Sequence, residues 1–216
     1  MQLSPETIQV LKNFSTINQS VLIEEGNRLR TVSVMKNILA EAQIVEEFPV
    51  QVPIYDLSQF LNSLSLVDGA NLEFGESSVM ISNGSTSIEY RYSDPSVITS
   101  PPNKTITLPS EDVYFTLYGD VLQRIIKASS VLQLPDLALV GSGGVLSLEL
   151  HDKKQSSSSN RFRVEVGSVE DDVNLQFRIE NLKVLPGDYD VIVSNKLISR
   201  WSHHSIPVSY WIALEP

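Results

Sequence analysis

The sequence predicts an α+β chain of two duplicated domains, each reading helix, strands, strand, helix, strands. Three observations carry that prediction. Capped amphipathic helices are interspersed with short runs of period-two hydrophobicity. A proline-rich stretch breaks the chain near its middle. The order of elements then restarts, as a duplicated unit would.

Ser4-Pro5-Glu6 reads as an N-cap, a proline at the first helical position and an acid in the first turn. The helix runs to about Ile17, with Ile8, Val10, Leu11, Phe14 and Ile17 on its apolar side. β-rich stretches follow at Val21–Ile23, Leu29–Val34 and Leu39–Val45, separated by turns at Glu24-Glu25-Gly26-Asn27 and Lys36-Asn37. Phe48–Tyr55 alternates like a strand, and Asp56 caps a second helix with Leu57, Phe60, Leu61 and Leu64 on one face. Strands are expected near Asn71–Phe74, Ser78–Ser82 and Thr86–Tyr92. Asp94-Pro95 and Ser100-Pro101-Pro102-Asn103 then interrupt regular structure. The expected division is a first domain over 1–95, a linker over 96–108 and a second domain over 109–216.

After the linker, Tyr114–Leu117 is a strand, and Gly119–Val131 is a helix burying Val121, Leu122, Ile125 and Ile126. Strands follow at Leu137–Val140, Val145–Leu150, Arg161–Val166 and Val173–Ile179. Leu182–Leu185 is a short turn or helix stopped by Pro186-Gly187, before strands at Tyr189–Val193, Leu197–Trp201 and Val208–Leu214. Ser156-Ser157-Ser158-Ser159 reads as a mobile hairpin loop. At an offset of 114, Ile8-Gln9 meets Leu122-Gln123, Leu11 meets Ile125, and Ser15-Thr16-Ile17 meets Ser129-Ser130-Val131. Val52, Ile54 and Leu57 share the spacing of Phe177, Ile179 and Leu182.

Composition narrows the function. The 216 residues contain no Cys, which excludes disulfides, thiolate catalysis and zinc–cysteine sites. The N-terminus lacks the pattern of a signal peptide, and no apolar run approaches a membrane span, so a soluble intracellular protein is expected. The net charge of −10 has the wrong sign for a nucleic-acid reader that relies on phosphate neutralisation. Catalytic patterns are poor. His203-His204 would point to opposite faces of a strand, leaving only His151 besides. Glu170-Asp171-Asp172 reads as an acidic turn, and Gly141-Ser142-Gly143-Gly144 lacks the setting of a phosphate loop.

Four segments carry a family resemblance. They are Val10–Asn18; Ile54-Tyr55-Asp56-Leu57 with Phe60-Leu61 and Leu64–Val67; Leu185-Pro186-Gly187-Asp188-Tyr189; and Tyr210–Glu215. Together they resemble the sliding clamps of T-even-type phages, within the DNA-clamp superfamily, and the resemblance implies the DNA-clamp fold, in which each domain pairs two helices with outer antiparallel sheets. The resemblance implies a non-enzymatic processivity factor, a head-to-tail homotrimeric ring around duplex DNA that needs no cofactor. It implies an ATP-dependent clamp loader, the C-terminal peptide of the replicative DNA polymerase as partner, and a late-transcription role. The setting implied is the cytoplasm of an infected bacterial host. The runner-up is a non-enzymatic structural or interaction protein of duplicated β-rich domains, and the third reading a hydrolase using the paired His region.

Clamp helices line the bore, so the resemblance turns Gln9, Lys12, Asn13, Gln123, Arg124, Lys127 and Lys183 toward DNA, with Lys153 and Lys154 beside them. The plain alternative is that these are solubilising charges. The partner-peptide pocket falls on Val34, Met35, Leu39, Val97, Ile98, Trp211 and Ala213, whose plain alternative is core or domain-interface packing. The trimer interface is expected to pair edge strands, through Ile88, Tyr90 and Tyr92 on one subunit and Arg161, Arg163 and Val164 on the next.

Overall fold

In the computed structural model, which describes residues 1–155 and 157–216, the Ser4 hydroxyl accepts the Thr7 N–H at 3.2 Å and opens α1 (Pro5–Ile17). The chain divides into two units, Met1–Lys104 and Thr105–Pro216, a division that lies within the segment 96–108. α1 buries Thr7, Val10, Leu11, Phe14 and Ile17. Ile8, expected on that face, is only half-buried, and Thr7 is the inward residue instead. The reason is a carboxylate. Glu46, on β3 (Ile38–Phe48), accepts the Thr7 hydroxyl at 2.5 Å and the Ser4 N–H, so a buried anion sits at the positive end of the helix.

The rest of the first unit is antiparallel. β1 (Val21–Ile23) pairs with β4 (Val52–Ile54), and β2 (Gly26–Val32) pairs with β3. β2 therefore begins inside the expected turn, at Gly26. The run Phe48–Tyr55 is not one strand: β3 ends at Phe48 because Pro49 has no N–H to continue the ladder, and β4 starts at Val52. Asp56 accepts the Gln59 N–H at 2.8 Å and opens α2 (Leu57–Ser65), which packs beside α1 and buries Leu57, Phe60 and Leu61. β5 (Asn71–Phe74), β6 (Ser78–Asn83) and β7 (Thr86–Arg91) form a meander in that order.

In the second unit β8 (Val113–Leu117) leads into α3 (Gly119–Leu132). β9 (Asp136–Ser142), β10 (Val145–His151), β11 (Phe162–Ser168) and β12 (Val173–Arg178) make a sheet ordered β11-β10-β9-β12. Gly143 and Gly144, at φ +59° and +84°, close the β9–β10 hairpin, so the glycine-rich run is a turn. β13 (Tyr189–Ser194), β14 (Ile198–His203) and β15 (Val208–Ala213) continue from β8 in the order β8-β13-β14-β15. The core is aromatic. Trp201, 1% exposed, meets Phe177 and Tyr189 edge-on at 6.0 and 6.1 Å.

Two helices per domain holds only for the first unit. α3 is the single α-helix among the described residues of the second, and the short turn or helix expected at Leu182–Leu185 is irregular, following a 3-10 turn at Ile179–Asn181. Two buried tyrosines explain this. The Leu185 N–H donates to the Tyr210 hydroxyl at 3.2 Å, and its carbonyl accepts the Tyr189 hydroxyl at 2.6 Å. Both backbone groups that a helical ladder would use are therefore committed to the sheet, and Pro186 disfavours helix at Leu185 as well. Burial raises both phenols out of the titratable range.

The repeat is also in a different register. The buried faces of α1 and α3 match at an offset of 111: Val10, Leu11, Phe14 and Asn18 correspond to Val121, Leu122, Ile125 and Ser129. A slip of about three residues is close to one helical turn, so both registers present similar patterns. Ile126 is consequently not buried but 39% exposed.

The Thr7–Glu46 contact sets a pH dependence. Burial opposes the charged carboxyl, but the hydrogen bonds from Thr7 and Ser4 outweigh it and hold the Glu46 pKa below its ordinary value. A depressed folded-state pKa contributes stability above the unfolded pKa, and that stability is lost as pH falls through the folded one. Glu46→Gln is expected to cost about 2 kcal/mol in urea unfolding at pH 7. The gap to wild type should shrink in acid; a gap equally large at both pH values would contradict the assignment.

Candidate functional site

The basic candidates occupy helix faces that are otherwise close to neutral. In the first unit Gln9 and Lys12 are exposed on α1 and Asn13 is half-buried. Lys12 shares a shallow groove with Ile8 and Ser15 of α1 and Ser58, Asn62 and Ser65 of α2. In the second unit Gln123, Arg124 and Lys127 are exposed on α3. Arg124 lies 3.3 Å from Asp120 one turn earlier, so part of its charge is answered within the helix. Lys183 is exposed on the extended segment after the 3-10 turn. Lys153 and Lys154 stand on a second 3-10 turn, Lys153–Gln155, fixed from below by Asp136. Asp136 is 2% exposed, accepts the Lys153 N–H at 2.8 Å and lies 3.5 Å from Arg178. The expected serine loop follows this turn; Ser156 lies outside the described residues, while Ser158 and Ser159 N–H groups both donate to the Gln155 carbonyl.

Each unit ends one of its sheets on a candidate interface strand. β7 pairs only with β6 and β11 only with β10 among the described residues. Both strands alternate: Ile88 and Tyr90 on β7, and Phe162, Val164 and Val166 on β11, are half-buried between exposed residues. The Tyr90 side chain is already engaged inside its own unit, edge-on to Phe60 at 5.2 Å with its hydroxyl on the Asp56 carbonyl. Tyr92 lies just past β7, and its N–H donates to the Ser77 carbonyl at 2.9 Å. Arg161 precedes β11, and Arg163 lies 3.4 Å from Glu149 on β10.

The pocket candidates divide. Val34 and Met35 form the tip of the β2–β3 hairpin and are 70% and 81% exposed. Their loop is stiff: the Ser33 hydroxyl oxygen accepts the Asn37 and Ile38 N–H groups, each at 3.1 Å. Leu39 is buried on β3. In the linker Val97 is 57% exposed but Ile98 is 8% exposed, so Ile98 has the structural reason to be apolar that its position in the linker had not suggested. Trp211 and Ala213 are half-buried on β15, on the face opposite the core residues Tyr210 and Ile212.

Two features carry no local sequence signal. Arg30 on β2 reaches the linker, donating to the Pro102 and Lys104 carbonyls at 3.0 and 3.3 Å. Asn18, capping the end of α1, donates to the carbonyls of Val32 and Thr99. The start of the linker is therefore fastened to the first unit by side chains distant in sequence. The paired histidines have separate structural roles. His203 accepts the Ser205 and Ile206 N–H groups at Nδ1 and contacts the Pro186 carbonyl through Nε2, while His204 lies 3.0 Å from Asp190. Among the described residues no group of His, Asp and Glu side chains could hold a metal, and no helix is long and apolar enough to cross a membrane.

Comparison with known proteins agrees across the chain. A family profile described as DNA polymerase processivity factor matches residues 4–100, and one described as gp45 sliding clamp, C terminal, matches residues 114–216. The chain is similar to the sliding clamp of Vibrio phage KVP40, 35% identical over 222 aligned positions covering 100% of this chain and 99% of that one. It is similar to the sliding clamp of Escherichia phage RB69, 30% identical and covering 100% and 97%. Among solved structures, the proliferating cellular nuclear antigen of Entamoeba histolytica has the same fold, with a TM-score of 0.71 at 13% identity, covering 97% of this chain and 94% of that one.

The two tryptophans separate core from surface. Trp201→Ala should cost about 3–5 kcal/mol of unfolding free energy, as deletion of a fully buried aromatic does. Trp211→Ala should stay within about 1 kcal/mol of wild type. Equal losses in urea denaturation would make Trp211 a core residue.

Proposed function

The chain belongs to the sliding-clamp family of phage DNA polymerase processivity factors, and from that premise we propose that it acts as a head-to-tail homotrimer closed around duplex DNA. Members of this family perform no chemistry, and the chain is not an enzyme. The observation that best supports ring closure is the pair of unfilled sheet edges, β7 in the first unit and β11 in the second. One copy offers both, so β7 of one subunit can pair with β11 of the next, and a heterologous contact of this kind closes when its rotation does. Both edges carry half-buried apolar side chains at alternate positions, the pattern of strands that continue a sheet.

The same reading explains an acidic protein on a polyanion. A net charge of −10 cannot supply affinity by counterion release. Encirclement makes affinity unnecessary, and the sparse cations Lys12, Arg124, Lys127, Lys153, Lys154 and Lys183 need only centre the duplex through backbone contacts that carry no sequence information. Opening the ring falls to an ATP-dependent loader, in the cytoplasm of the infected host. The replicative polymerase is tethered by its C-terminal peptide, for which the half-buried Trp211 on β15 is the candidate anchor, and a late-transcription partner would use the same anchor.

Edge pairing is tested by mass. Analytical ultracentrifugation of wild type should give close to three chains of 24.0 kDa. Ile88→Pro and Val164→Pro each remove a ladder donor and should shift the mass toward monomer while circular dichroism retains the strand signal. If both folded variants remain trimeric, the interface lies elsewhere.

A further inference from the structure

The edges of β7 and β11 carry an order of charge as well as of apolar side chains. On β7, Ser87, Glu89 and Arg91 are exposed, alternating with the half-buried Ile88 and Tyr90. On β11, Arg163 and Glu165 are exposed between the half-buried Phe162, Val164 and Val166. The Tyr92 N–H is spent inward on the Ser77 carbonyl. Ladder bonds alternate along a strand, so Ser87, Glu89 and Arg91 turn their backbone groups to the open edge. β11 keeps a constant register with β10 from Phe162 to Glu165 and shifts beyond it, so this stretch is the regular part that another strand can follow.

Residues directly opposite in an antiparallel pair share a face of the sheet, so half-buried side chains must meet half-buried ones. Two registers place both Ile88 and Tyr90 against half-buried residues of β11. In one, Ile88 faces Val166 and Tyr90 faces Val164; Glu89 then faces Glu165 and Arg91 faces Arg163. Both charged pairs are alike, which destabilises a ladder. In the other, Ile88 faces Val164, Tyr90 faces Phe162, Glu89 faces Arg163 and the neutral Ser87 faces Glu165. Its one like pair, Arg91 with Arg161, falls at the end, because Arg161 precedes β11 and Arg91 lies 3.4 Å from Glu89 on its own strand. Arg163 lies 3.4 Å from Glu149 on β10. The second register therefore builds a row of alternating sign: Arg91 and Glu89 of one copy, then Arg163 and Glu149 of the next.

We infer that β7 accepts β11 of a second copy in this register alone, and that the Glu89–Arg163 pair makes the contact select copies of this chain over chains whose edges carry another charge order. The inference rests on the ring reading and adds to it what sets the register and the partner.

Two measurements on the full-length protein test it. The chain has no Cys, so paired cysteines report the register directly. Ile88→Cys with Val164→Cys should oxidise to a covalent multimer, and Ile88→Cys with Val166→Cys should not. Cross-linking through Val166→Cys instead would overturn the register. Glu89→Arg and Arg163→Glu should each weaken the contact about 5-fold by sedimentation equilibrium, and the double swap should recover most of the loss. Single reversals that strengthen assembly would show the other register, because each would relieve one of its like pairs. Partner selection is read by native mass spectrometry of isotope-labelled wild type reassembled with the double swap. Every mixed trimer holds two mismatched contacts, so the two chains should sort into separate trimers. Statistical mixing with an intact Val164 cross-link would overturn the selective role of the charge pair and leave the register standing. A wild type that never exceeds monomer mass would overturn the ring reading beneath both.

Discussion

A strand at the end of a sheet leaves a row of backbone N–H and C=O groups without partners, and folded chains either protect such rows or use them. Among the terminal strands of this chain, β7 in the first unit and β11 in the second are the candidates for such use. Much of the rest follows from keeping those edges straight and available. The Tyr90 side chain is drawn in against Phe60, which holds β7 to α2 while its outer backbone stays free. Arg163 is held by Glu149 on the neighbouring strand, which steadies β11 in the same way. In the proposed ring these two edges are filled by the neighbouring copies.

Charge is the second constraint. An acidic protein gains nothing from attraction to phosphate, so the cations are few and the exposed residues of α2 are the uncharged Ser58, Gln59, Asn62 and Ser65. Arg124 shares its charge with Asp120, weakening the basic face of α3 further. In the proposed ring, a bore that attracts DNA weakly would suit a protein that must move along it, because every strong phosphate contact would have to break at each step.

Much of this was legible in the sequence because its signals are local. Ser4-Pro5 and Asp56 marked two helix starts, and the period-two runs marked the strands that became the edges. What was missed depends on partners far apart in the chain. Nothing near Leu185 announces that Tyr189 and Tyr210 will hold its backbone, so a short turn or helix was expected at Leu182–Leu185 where the chain is irregular. Thr7 turned inward in place of Ile8 because of Glu46, 39 residues away. Ile98 lies in a linker, which gives no periodicity to read, and it is buried. Lys12, Arg124, Lys127 and Lys183 are exposed, and which of these cations is partly neutralised needed the geometry.

The central claim is that the protein is held on DNA by topology and not by affinity. The most direct measurement loads it with its ATP-driven loader onto a nicked circular plasmid, passes the complex through a gel-filtration column at high salt, and repeats this after cutting the circle once. Encirclement predicts that the protein travels with the circle through high salt and is lost from the linear form. Elution from the circle by salt, with no effect of cutting, would contradict it.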